Sequence, residues 1–202
     1  MPRFRGIHHL ALATRDMDAT IRFWRDLLGM KLVGGLGKPG YRQYFFEVSQ
    51  SALLAFFEWP EVEPLPEKDP GYPVKGPFAF DHLSLEVESP KDLWALKERL
   101  DAAGLWVTEA IDHGIVHSLY TFDPNGIPVE LSWGTGEMDL HGTPRMMDSA
   151  PSAVTLEGCE PQPGKWPIAR PTKEKDAQRK VHPGDGLDLV RGTKVNWWKH
   201  RP

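Results

Sequence analysis

The stretch HGIVHSLYTFDPNGIPVEL, residues 113–131, decides how the rest of the chain is read. It predicts a strand over Ile115–Phe122, a tight turn at Asp123-Pro124-Asn125-Gly126, and a second strand over Ile127–Trp133. Pro presets φ at the second turn position, and Gly accepts the positive φ that a turn exit requires. In the second strand Ile127, Val129, Leu131 and Trp133 alternate with Pro128, Glu130 and Ser132. That period of two gives one apolar face and one different face, with Glu130 in the middle of the latter.

Working outward, the chain contains a duplicate of itself. HHLALAT near the start is similar to DHLSLEV in the middle. His9 pairs with His82, Leu10 with Leu83 and Leu12 with Leu85 at an offset of 73 residues. Beyond the helix the offset becomes 75, pairing Gly29 with Gly104, Phe45 with Tyr120 and Phe56 with Leu131. A slightly longer second helix explains the change. Two βαβββ units of about 55–60 residues are the simplest account of such a repeat.

In the first unit Ile7–Ala13 reads as a strand, with Thr14 and Asp16 offering helix caps. A helix is expected to about Leu28, with Ile21, Trp24 and Leu28 on its buried face. Gly29 suits the left-handed position after it. Strands are expected at Met30–Gly34, Tyr41–Ser49 and Ser51–Trp59. The second unit repeats the order. It has a strand at Phe80–Val87, a helix started by Ser89 and Pro90 and ended by Gly104, and strands at Trp106–Ala110, Ile115–Phe122 and Ile127–Trp133. The predicted class is α+β: two tandem βαβββ units whose sheets form a shared concave half-barrel, followed by an extended Pro-rich C-terminal tail. The expected boundaries are 1–60 for the first unit, 61–77 for a Pro/Glu/Gly-rich linker, 78–135 for the second unit and 136–202 for the tail. Eight prolines break any periodicity in residues 137–202. Trp166, Trp197, Trp198, Met146 and Met147 are more apolar side chains than disorder favours, so the tail is expected to wrap the core or a partner subunit through its Trp residues.

Composition excludes several classes. One cysteine, Cys159, rules out an intramolecular disulfide framework and a Cys-rich zinc site. No apolar run is long enough to span a membrane, and the start MPRFRGIHHL has no apolar signal segment. A cytoplasmic protein is the expectation. A net charge of −4 gives no general attraction to nucleic acid, and the short basic end KVNWWKHRP reads as an anchor instead.

Strand parity then gathers a site. His9 and His82 each lie opposite a Leu pair, and Glu130 lies opposite Val129 and Leu131, so all three face away from the helix-packed side. Two imidazoles and one carboxylate with open positions suit Fe(II), and Mn(II), Zn(II) or Ni(II) are possible on the same donors. The offset of 75 carries Glu130 back to Ala55, which cannot ligate. Glu58 is the nearest carboxylate but falls on the core side, so three protein ligands are expected.

These residues resemble the vicinal oxygen chelate superfamily, which includes glyoxalase I, extradiol dioxygenases, methylmalonyl-CoA epimerase and the fosfomycin and bleomycin resistance proteins. The resemblance covers roughly residues 5–135 and implies His9, His82 and Glu130 as the metal ligands. Within it, Ile111, His113, Leu119-Tyr120, Asp123-Pro124, Gly126 and Glu130 are similar to the extradiol dioxygenase signature. That implies ring cleavage of a catechol or similar vicinal-oxygen substrate, with Tyr120 hydrogen-bonding the substrate and His113 assisting proton transfer. His117 and His8 are further proton-transfer candidates, and Phe57, Tyr44 and Phe46 are candidate pocket residues. The resemblance also leaves open a glyoxalase- or epimerase-like lyase or isomerase, and a metal-free small-molecule-binding protein. A homodimer is possible. The partner expected is a small-molecule substrate, with no nucleic acid and no membrane.

Overall fold

The structure, a computed structural model, describes residues 5–38, 40–75, 80–162, 164–165, 180–183 and 187–191. Strand β1 (His9–Thr14) leads into helix α1 (Met17–Ile21), and then come β2 (Lys31–Lys38), β3 (Tyr41–Ser49) and β4 (Ala52–Glu58). The second module holds β5 (Leu83–Glu86), α2 (Pro90–Ala102), β6 (Ile111–Asp112), β7 (Val116–Phe122) and β8 (Pro128–Gly134). Each module forms an open four-stranded sheet, ordered β1-β4-β3-β2 and β5-β8-β7-β6, with the first and last strands parallel. The duplication holds at the level of single residues. Ala11 faces Ala55 in the first sheet, and Ser84 faces Glu130 in the second.

Local chemistry explains most boundaries. Asp16 caps α1 by accepting the Ala19 N–H at 2.9 Å, and Ser89 caps α2 by accepting the Asp92 N–H at 3.3 Å, with Pro90 beginning the helix. After Ile21 the first helix widens into a π-helix over Arg22–Leu27, with the Leu28 N–H reaching the Phe23 carbonyl at 2.9 Å. The wider turn buries Phe23 and Trp24 side by side, where the expected stripe named Trp24 and not Phe23. Strand β5 starts at Leu83 and not at Phe80, so His82 precedes the ladder. Residues 106–110, expected as a strand, form no regular ladder with β7: they meet it through a bridge between Val107 and Thr121 and through hydrogen bonds of Thr108 with Tyr120 and of Thr121 Oγ1 with the Trp106 carbonyl.

The apolar faces of both sheets and both helices merge into one core containing Trp24, Phe46, Leu54, Phe56, Leu93, Leu100, Leu119, Val129 and Leu131. A polar contact locks the modules together within it. The buried Asp123 carboxylate accepts four hydrogen bonds: from the Asn125 and Ile127 backbone N–H groups at 2.8 and 3.0 Å, from Asn125 Nδ2 at 2.9 Å, and from Trp24 Nε1 of the first module at 3.2 Å. Asn125 Nδ2 also donates to Thr20 Oγ1 at 3.3 Å. Burial pushes the Asp123 carboxyl up, against the pull of these donors. Gly126 ends the turn with φ +71°, and a Cβ there would lie 2.2 Å from the Leu65 carbonyl oxygen, so only glycine fits.

The described residues fall into two units, one within 1–135 and 185–202, the other within 136–184. In the first, a short helix α3 (Leu187–Arg191) lies beside β2. The second has a single 3₁₀ turn at Thr155–Glu157 and an ion pair between Lys165 and Glu157 at 2.6 Å. Met146 and Met147 are exposed. Trp166, Trp197, Trp198 and the basic end 194–202 lie outside the described residues. Among the described residues no helix is long and apolar enough to cross a membrane.

Two measurements check this account. Asp123→Ala leaves four buried donors without their acceptor and is expected to cost about 3 kcal/mol in urea unfolding, against about 1 kcal/mol for Trp24→Phe. A loss below about 0.5 kcal/mol for Asp123→Ala would show that the carboxylate does not hold the modules together. The second concerns Glu58, which accepts the Met17 N–H at 2.9 Å and pairs with Arg42 at 2.5 Å. Arg42 holds the Glu58 carboxyl below its ordinary value of 4.5. A lowered folded value makes its stabilisation complete above that value and lost as pH falls through the folded one. Glu58→Gln should therefore flatten the acid limb of a stability–pH curve; an unchanged limb would refute the assignment.

Candidate metal centre

The face of β7 and β8 that points away from the core carries Ser118, Tyr120, Glu130 and Ser132, because β7 and β8 pair Ser118 with Ser132 and Tyr120 with Glu130. Glu130 is only 6% exposed. Its carboxylate accepts the Ser118 hydroxyl at one oxygen and lies 3.0 Å from His82 Nε2 at the other. On the far side of the ring, His82 Nδ1 is 2.6 Å from Asp81 Oδ1. With the Nδ1 hydrogen given to Asp81, Nε2 and the Glu130 oxygen are two acceptors facing each other. Only a shared proton or a cation relieves that juxtaposition, so the pair suits a divalent ion, and a carboxylate behind a ligating His is the usual orienting partner.

Asp81 is itself held. It accepts Lys68 Nζ at 2.6 Å and the Gly71 N–H at 2.9 Å, and these contacts together with His82 hold its carboxyl well below the usual carboxylate range. Tyr120 stands edge-on to His82, ring centroids 6.0 Å apart, and its hydroxyl lies 3.0 Å from His113 Nε2. Burial, and then the Glu130 charge, raise the Tyr120 hydroxyl, which keeps it a proton donor.

The other expected residues lie elsewhere. His9 is exposed on the outer face of the first sheet, with His8 Nδ1 2.9 Å from its Nδ1 and the Phe45 ring edge-on at 6.5 Å. Among the described residues, no group of three His, Cys, Asp or Glu side chains is placed to hold a metal ion. Within one chain the structure thus brings His82, Glu130, Tyr120 and His113 together and leaves His9 apart. His117 pairs with Trp133 in register, on the opposite face of β7 from Tyr120, and contacts Asp112 at 3.5 Å. Parity turns it away from Glu130. Tyr44 and Phe46 also take the core side, Phe46 being fully buried, because they pair with Phe56 and Leu54. Phe45 and Phe57, in register with Ala55 and Gln43, share the His9 face. Glu58 stays on the core side as expected, bound to Arg42 and the start of α1.

Sequence reasoning missed Ser118, Asp81 and Lys68. Ser118 was within reach of the parity argument, two residues before Tyr120. Asp81 adjoins His82 but is out of step with the strand. Lys68 carries no local signal, since its contact closes a loop of 13 residues.

The glyoxalase/bleomycin resistance protein/dioxygenase superfamily model matches residues 6–131. A biphenyl-2,3-diol 1,2-dioxygenase of Paraburkholderia xenovorans is 27% identical over 145 residues, covering 67% of this chain and 43% of that protein. The chain thus spans less than half the length of that relative. A probable lactoylglutathione lyase of Vibrio parahaemolyticus is 27% identical over 134 residues, 62% of this chain and 88% of that protein. Among solved structures, a glyoxalase/bleomycin resistance protein/dioxygenase domain from Frankia superposes with a TM-score of 0.55 at 25% identity, covering 65% of this chain and 99% of that one. The duplicated βαβββ sheets and the span of the match together show that this chain belongs to the glyoxalase/bleomycin resistance/dioxygenase superfamily, the vicinal oxygen chelate proteins.

Proposed function

We propose that the chain is an extradiol-type dioxygenase that opens the ring of a catechol or similar vicinal-oxygen substrate, with His9, His82 and Glu130 as metal ligands and Fe(II) as the preferred ion. The observation that carries this reading is the His113–Tyr120 pair, 3.0 Å from ring nitrogen to hydroxyl, on the sheet face shared with Glu130. An Fe(II) bound there would supply oxygen activation and acidify the substrate hydroxyls. The protein's own groups do the rest. Tyr120 donates its hydroxyl hydrogen to a substrate oxygen, and His113 exchanges a proton with it within hydrogen-bond reach. Ser118 and Asp81 hold Glu130 and His82 still.

His9 enters through a second copy. Both sheets turn their apolar faces to the one shared core, so the His9 face and the Glu130 face both point away from it. Faces that point away from a common core meet by pairing with another chain, which makes the reading a two-fold dimer with composite sites. A second reading, a metal-dependent lyase or isomerase, draws on the length match to the Vibrio protein, 88% of which is covered. Ala55, the register equivalent of Glu130, gives that chemistry no fourth side-chain donor.

Iron-loaded protein given a panel of catechols should consume O2 and form ring-opened chromophores. Tyr120→Phe should lower kcat by about a hundredfold with bound metal unchanged. Turnover of a vicinal-oxygen substrate without O2 uptake would move the assignment to the second reading. The dimer has its own check: mixing inactive His9→Ala and Glu130→Gln chains should restore about one quarter of wild-type activity, since random pairing makes half the dimers mixed and each has one intact site. No restoration would place all three ligands in one chain.

A further inference from the structure

We propose that Lys68, in the segment joining the two modules, is a positioning residue for the metal centre: it clamps the Asp81 carboxylate, which sets the ring of His82. The inference rests on the reading of His82 and Glu130 as metal ligands.

His82 lies just before β5, so no ladder hydrogen bond fixes its backbone. What orients the ring is the contact of Nδ1 with Asp81 Oδ1 at 2.6 Å, and that contact is only as rigid as the carboxylate. Asp81 is 45% exposed at its side chain, and an exposed Asp on a loop has rotamers to spare. Here both oxygens are committed. Oδ2 takes Lys68 Nζ at 2.6 Å, and Oδ1 takes the Gly71 N–H at 2.9 Å as well as His82. Lys68 is also fixed at its other side, donating to the Asp69 carbonyl at 3.1 Å. Its side chain is only 9% exposed, although lysine is the residue least often buried without a partner. Exposed Lys–Asp pairs contribute little, but a lysine whose side chain is packed away and whose ammonium is held by two acceptors has few other places to go. The result is a chain of contacts from Lys68 through Asp81 and His82 to Glu130, each link 3.0 Å or less.

The anchor of the segment explains why Lys68 reaches this place. The Leu65 N–H donates to the Asn125 carbonyl at 2.8 Å, fixing the joining segment three residues before Lys68 against the β7–β8 turn. The turn that leads to Glu130 thus also sets the register from which Lys68 extends to Asp81.

The test is Co(II) binding by the full-length protein, followed by calorimetry and by the visible ligand-field spectrum. His82→Ala and Glu130→Gln serve as references that should abolish binding. Lys68→Met and Asp81→Asn should each weaken Co(II) binding by about tenfold and alter the spectrum. Their double variant should lose no more than Asp81→Asn alone, because Lys68 acts through Asp81. Lys68→Arg should restore most of the affinity. If Lys68→Met does not fold, Lys68→Gln replaces it, with an expected loss of at least about threefold. Wild-type affinity and spectrum in the Lys68 variant, or additive losses in the double variant, would overturn the clamp while leaving the metal centre standing. A wild-type protein that binds no Co(II), or that binds it equally without His82 and Glu130, would instead remove the metal reading and the clamp with it.

Discussion

A single buried carboxylate, Asp123, ties the architecture together. It closes the β7–β8 turn through two backbone N–H groups and reaches across to Trp24 in the first module's helix. A buried carboxylate is costly unless every lone pair is used, and here four donors converge on it. Placing that cost at the module boundary makes the relative placement of the two copies specific. Apolar burial drives the copies together, and Asp123 with Asn125 selects one docking geometry from many. The outward direction of the Glu130 face follows, because β8 begins two residues after the turn that Asp123 closes.

The two copies have diverged along the line that duplication leaves free. At equivalent register positions the first has Ala55 and the second Glu130. The first copy keeps its own carboxylate at Glu58, where it serves the fold by holding Arg42 and the first turn of α1. The first module therefore presents an aromatic and aliphatic surface around His9, with Phe45 and Phe57, while the second presents the polar cluster.

Much of this was legible in the order of residues. Period-two alternation placed Glu130 opposite Val129 and Leu131, and the change of offset from 73 to 75 agrees with the register of both sheets. Caps at Asp16 and Ser89 marked both helix starts. What escaped were features without a sequence period. The π-helix at Arg22–Leu27 swaps a hydrogen-bond ring size and so shifts the buried stripe to include Phe23. Aromatic character alone marks Tyr44 and Phe46 as pocket residues, but their pairing with Phe56 and Leu54 puts them in the core. The same parity separates His117 from Tyr120. Asp81 and Lys68 meet through a loop, and loop closure leaves no periodic trace.

The seam between the copies has an evolutionary consequence. Leu65 lies so close to Gly126 that no side chain fits there, and its amide is committed to Asn125. The joining segment is thereby part of the second module's framework. Inserting or deleting a residue between Leu65 and Gly71 would shift Lys68 and Gly71 relative to Asp81, whereas the stretch from Tyr72 to Lys75, exposed throughout, makes no contact with Asp81 that its length must keep. Length variation among descendants of this chain should therefore accumulate after Gly71, leaving the five-residue spacer before it constant.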